Sequence, residues 1–146
     1  MVRHLFALVL LGSVATAASA QQAGIPDLKG TWTGKGRSVV FGNNGYHPGA
    51  QTPNDPPRVR DIEATYVVEG QDGRLAWGHS LASNLQEPFA WAISADNKSI
   101  VGADLDGYFR ITLTAPDRIE KCYVQNGTSP SRSIVAACYD MDRVKH

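Results

Sequence analysis

Asp104 and Asp106 flank Leu105 near a turn, and Asp61 and Glu63 alternate along one run. Paired carboxylates suit acid–base work or Ca²⁺ binding. Neither pair sits in a recognised motif, and acids on a polar strand face are ordinarily solvated. Ser80 and Ser133 lack the Gly-x-Ser-x-Gly turn that presents a nucleophile. His47, His79 and His146 lie far apart, without the spacing of metal ligands. The expectation is therefore a protein that is not an enzyme and that uses no metal and no cofactor.

The aromatic residues follow a clearer pattern. Tyr66, Trp77, Phe89, Trp91 and Phe109 recur at alternate positions within short runs, so they fall on faces able to line one interior. Such a wall either packs as core or surrounds a small apolar ligand. His79 shares the face of Trp77. Tyr46 and His47 sit in a Pro/Gly/Asn-rich stretch read as a long loop over 43–60, and long loops in compact domains tend to be functional. The expected ligand-binding set is Tyr66, Trp77, His79, Phe89, Trp91 and His47.

The elements that must position these residues are strands. β-branched and aromatic runs separated by turn signals predict an all-β domain. The runs are Lys29 to Phe41, Ile62 to Val68, Arg74 to Ser80, Pro88 to Ser94, Lys98 to Ala103, Tyr108 to Thr114, Arg118 to Val124 and Ser133 to Met141. Gly34 and Gly36 interrupt the first and predict a bulge or bend. Ile62, Ala64, Tyr66 and Val68 share one face of the second. Most gaps are a few residues, which favours antiparallel neighbours over parallel crossovers. The predicted fold is an eight-stranded antiparallel up-and-down meander, closed into a barrel so that no edge is left exposed.

Leu28-Lys29-Gly30-Thr31-Trp32 opens the first run. A Gly-x-Trp at the first strand of an eight-strand meander resembles the calycins, the lipocalin and avidin-like barrels. The resemblance implies that Gly30 and Trp32 are structural, with Trp32 plugging the closed end. The loop after the first strand resembles the lipocalin lid. No avidin-like biotin-contacting set is matched, so the resemblance implies a fold and not a ligand. The chain also looks like small exported bacterial proteins.

Residues 1–20 predict a separate fate. Arg3 and His4 precede the apolar run Leu5 to Leu11, and small residues lead to Ala18-Ser19-Ala20. This is the pattern of a secretory signal peptide cut after Ala20, leaving residues 21–146 as one domain. The apolar run is too short to span a bilayer. The full chain balances 14 Lys+Arg against 14 Asp+Glu, and removal of Arg3 leaves one acidic charge in excess. Near-neutrality excludes a nucleic-acid partner, which needs a basic patch. In an exported protein, Cys122 and Cys138 are expected to form a disulfide. Paired seventh and eighth runs would place them opposite one another.

The functional expectation is an exported β-barrel, periplasmic or extracellular, binding a small, mostly apolar ligand in its mouth. The alternative is an envelope protein-interaction or inhibitor module that works through exposed loops around a filled barrel.

Overall fold

A computed structural model of the chain describes residues 24–42, 56–82, 85–126 and 133–145. Each predicted run becomes a strand: β1 Gly30–Phe41, β2 Arg58–Asp72, β3 Leu75–Ala82, β4 Leu85–Ile93, β5 Ser99–Ala103, β6 Gly107–Ala115, β7 Arg118–Asn126 and β8 Ile134–Arg143. Each pairs antiparallel with the next, and β1 pairs with β8, so the sheet closes as a barrel. This closed up-and-down barrel fits the calycin-like layout expected from Gly30-Thr31-Trp32. The predicted leader over 1–20, Tyr46 and His47 lie outside the described residues. No helix among the described residues is long and apolar enough to cross a membrane.

The strands depart from the sequence reading at the start of β2 and at the glycines of β1. β2 begins at Arg58, where Arg58 and Val59 pair with Val40 and Val39, so 58–60 are strand and not loop. Gly34 and Gly36 cause no register shift in β1. They are inward positions where a side chain has no room. A Cβ on Gly36 would lie 2.5 Å from Tyr139 Cβ, and one on Gly34 would lie 2.7 Å from Met141 Cγ. The missing side chains admit large neighbours from β8.

Period-two alternation sorts each strand into an inner and an outer face. Inside lie Ala64, Tyr66 and Val68 of β2, Phe89, Trp91 and Ile93 of β4, Phe109 and Ile111 of β6, and Tyr139 and Met141 of β8. β3 reverses the expectation. Its inward residues are Ala76, Gly78 and Ser80, which pair with Trp91, Phe89 and Glu87 across β4. Small side chains on β3 therefore make space for large ones on β4. Leu75, Trp77, His79 and Leu81 consequently face outward. Trp77 is 48% exposed, and its ring covers Gly70, where an added Cβ would meet it at 2.3 Å. A bulge between Val68 and Gly70 sets this arrangement and returns Gln71 to the inner side opposite Ala76.

One end of the barrel is sealed by the chain that enters β1. Leu28 and Trp32 are fully buried. Trp32 Nε1 donates to Leu28 O at 2.9 Å, and Gln71 accepts from Leu28 N at 2.8 Å and donates to Pro26 O at 2.9 Å. Arg143, from the end of β8, lies over the Trp32 ring at 4.5 Å. It donates to Lys29 O at 2.6 Å and pairs with Asp117 at 3.1 Å. The adjacent hairpin turn uses Gly73 at φ 54°, a conformation that suits glycine. Ile93, Ile100, Ile111, Ile119 and Met141 complete an apolar floor.

Candidate functional site: a cavity in the barrel mouth

Above the apolar floor the interior becomes aromatic and then polar. Tyr66 packs on Phe89, Trp91 and Phe109 with ring centroids at 5.3, 5.9 and 5.8 Å. Phe89 and Trp91 pack as a tilted pair with centroids 4.5 Å apart. These rings fill the barrel's middle. Toward the open end a cavity of about 240 Å³ remains, a little under the ~300–1,000 Å³ usual for small-molecule sites. Ile62, Ala64, Val135 and Ala137 form its apolar wall. Ser38, Glu87, Asp104 and Lys121, with Tyr66 and Tyr139, supply its polar groups.

Lys121 is the unusual member. Alternation on β7 places it inward between Ile119 and Tyr123, and only 1% of it is exposed. Its Nζ lies 4.3 Å from the Tyr66 ring centroid, 4.4 Å from Phe109, 5.1 Å from Tyr123 and 5.2 Å from Tyr139. An ammonium over ring faces gains cation–π attraction, but it loses its water. Nζ donates to Tyr139 Oη at 3.1 Å. Burial pushes the amine down to about 7, with the charge of Asp104 opposing the shift. Near neutral pH this lysine is therefore divided between ammonium and free amine, as an exposed lysine is not.

The neighbouring groups are tuned by the same burial. Tyr66 is held well above the usual phenol range, first by desolvation and then by the other tyrosines and acids. Tyr139 is raised for the same main reason. Both phenols stay protonated across the physiological range. Asp104 is raised by burial, while N–H groups of Gly107 at 2.7 Å and Asp106 at 3.0 Å pull in the opposite direction. Glu87 is buried and accepts from Leu105 N at 2.9 Å. Ser133 Oγ donates to Gln125 Oε1 at 3.4 Å. Ser38 Oγ is buried at the cavity with no hydrogen-bond partner among the described residues. A buried hydroxyl left in this state costs free energy, and an occupant of the cavity would supply its partner.

The structure sorts the sequence-derived set. Tyr66 lines the cavity, and Phe89 and Trp91 lie beneath it. Trp77 and His79 are on the outer surface, where His79 Nδ1 meets Glu69 Oε1 at 2.8 Å. Neither faces the interior, because β3 presents its small residues inward. His47 is outside the described residues. Asp61 and Glu63 point outward and pair with Arg37 at 3.7 Å and Lys35 at 3.3 Å. Among the described residues no cluster of three or more His, Cys, Asp or Glu could hold a metal.

Lys121, Tyr139, Ser38 and Glu87 were not singled out by sequence. The alternation Ile119, Lys121, Tyr123, Gln125 carried the signal for Lys121, a cation in phase with an apolar strand face.

Cys122 and Cys138 are bonded, and they are directly paired in register. The next pair inward is Lys121 with Tyr139. The disulfide spans the outer face, one ladder position from the pair whose side chains meet inside.

No protein-family model matches the chain, and no curated protein sequence matches it. Among solved structures the chain is similar to the S-type phycobiliprotein lyase of Guillardia theta. The likeness covers 82% of this chain and 89% of that chain, at 14% identity and a TM-score of 0.36.

Proposed function

We propose that this chain is an exported binding protein whose barrel mouth holds one small amphipathic molecule. The apolar part rests on Ile62, Ala64, Val135 and Ala137, and the polar end reaches Lys121, Tyr139 and Ser38. The observation that carries this reading is the cavity itself, about 240 Å³ over a sealed floor, ringed by buried polar groups. A barrel serving only as a scaffold would gain stability by filling that space with apolar side chains. The polar groups move the occupant from the mostly apolar compound expected from sequence to one with a polar head. The Cys122–Cys138 bond supports export, since disulfides persist in oxidising compartments.

The test is a titration of small alcohols, amides and carbonyl compounds, followed by the fluorescence of Trp91 and its stacked tyrosine. Ala137→Phe places a ring in the cavity and serves as the blocked variant. The reading predicts saturable one-to-one binding to the wild-type chain. It predicts a loss of about tenfold or more in the variant, roughly 1.4 kcal/mol or greater, with unchanged circular dichroism. Equal affinity in both proteins, or no saturable binding across the panel, contradicts it. Export is checked separately by the N-terminus of the protein isolated from cells, predicted at Gln21. A cytoplasmic chain that keeps residues 1–20 overturns that part.

A further inference from the structure

Lys121 presents an amine to the cavity in the barrel mouth, with rings on several sides and a phenol on its nitrogen. Among the described residues it makes no ion pair within contact distance of a carboxylate. The groups facing it are Tyr66 from β2, Phe109 from β6, Tyr123 on its own strand and Tyr139 from β8. Asp104, from the β5–β6 turn, is the acid whose charge reaches it. Glu87 and Arg60 also line the cavity. Asp104 and Glu87 are balanced by Arg60 and by Lys121 itself, so this lining carries no excess charge that demands a charged ligand, and a neutral electrophile suits it.

We infer that Lys121 is a covalent capture site for small aldehydes, an inference that rests on the ligand-binding role proposed above. The amine lone pair attacks the carbonyl carbon, and the carbonyl oxygen takes up a proton to give a carbinolamine. The carbinolamine then loses its hydroxyl as water. The nitrogen gives up both of its protons over the sequence, and both leave in that water. The product is an imine, and no oxidant or reductant enters the reaction. The step requires a free amine, which the depressed basicity of Lys121 supplies near neutral pH. Protonation of the imine returns one positive charge to the place the ammonium held. The four rings and Asp104 that face the ammonium face that charge as well. Tyr139 Oη, within 3.1 Å of the nitrogen, is placed to hydrogen-bond the carbinolamine hydroxyl.

The experiment incubates the full chain with hexanal or 4-hydroxybenzaldehyde near neutral pH, adds borohydride, and maps the modified lysines by mass spectrometry. The other lysines, Lys29, Lys35, Lys98 and Lys145, are exposed and act as internal controls. The inference predicts one dominant adduct, on Lys121, formed on the order of tenfold or more faster than on any control lysine. In Lys121→Met, of similar volume, the dominant adduct disappears while the barrel keeps its circular dichroism. The corresponding alcohols, hexanol and 4-hydroxybenzyl alcohol, bind without covalent chemistry and are titrated in parallel. If the alcohols bind but the aldehydes label the controls as readily as Lys121, the covalent inference is overturned and the binding role stands. If neither alcohol nor aldehyde binds and Lys121 is not labelled, both fall.

Discussion

Lys121 makes the stability of the whole barrel depend on pH. Its amine sits at about 7 in the folded chain against 10.5 ordinarily. Between those values the unfolded chain binds the extra proton, so folding becomes more favourable as pH rises. The cost of the buried charge is fully present below about pH 7 and is relieved toward pH 10.5. A tenfold change in proton affinity corresponds to about 1.4 kcal/mol, so the effect amounts to a few kcal/mol. Tyr66 and Tyr139 act in the opposite sense above about pH 10, where unfolded phenols ionise and the buried ones resist. The predicted melting temperature therefore climbs between about pH 7 and about pH 10 and then falls. Lys121→Met should flatten the climb, and a variant that retains it would show that another group is responsible. Gly36 gives a second prediction. A Cβ there enters the space of Tyr139, so Gly36→Ala should cost ~1–3 kcal/mol through overpacking and weaken ligand binding, read by denaturant titration and fluorescence. The sequence placed Tyr66 among the ligand candidates because aromatic alternation is a strong pattern. It left Lys121 unmarked because a lysine on a strand is ordinarily solvated, and only the neighbours contributed by other strands show that this one is not.

At the scale of elements, short gaps and alternating faces sufficed to predict every strand and the antiparallel order. The inner face of β3 was not legible in the same way. Leu75, Trp77 and His79 alternate as a hydrophobic face should, but the choice between faces depends on the volumes of Phe89 and Trp91 across the ladder. The bulge at Val68–Gly70 adds to this, since a bulge switches phase and leaves little mark in sequence. The β7–β8 pair was legible because the two cysteines fall symmetrically about its loop. Its disulfide closes a separation of 16 residues. Replacing both cysteines by alanine should lower stability by roughly 3 kcal/mol from the chain entropy released on unfolding, measured as a lower denaturant midpoint. The neighbouring Lys121–Tyr139 pair should persist if the ladder alone holds the register. A loss of the pH-dependent stability in the double variant would show that the disulfide is needed to hold that pair.

Among the described residues the barrel is asymmetric, with a sealed apolar floor at one end and a cavity toward the other. Leu28, Trp32 and Arg143 form the seal, and the Gly-x-Trp pattern announced its tryptophan but not its arginine, which arrives from the far end of the chain. Arg143→Ala removes a cation over a ring, worth ~0.5–2 kcal/mol, and charged hydrogen bonds worth ~1.5–3 kcal/mol each. The variant should melt earlier yet bind ligand at the mouth as the wild type does. Equal losses of stability and affinity would mean that the two ends are not independent. The central claim, that the mouth holds a small molecule, is tested most directly by native mass spectrometry of the protein isolated from its own cells and re-equilibrated with their metabolite extract. The account predicts one small molecule retained per chain, absent from Ala137→Phe. A wild-type protein that stays at its bare mass after that exposure would contradict it.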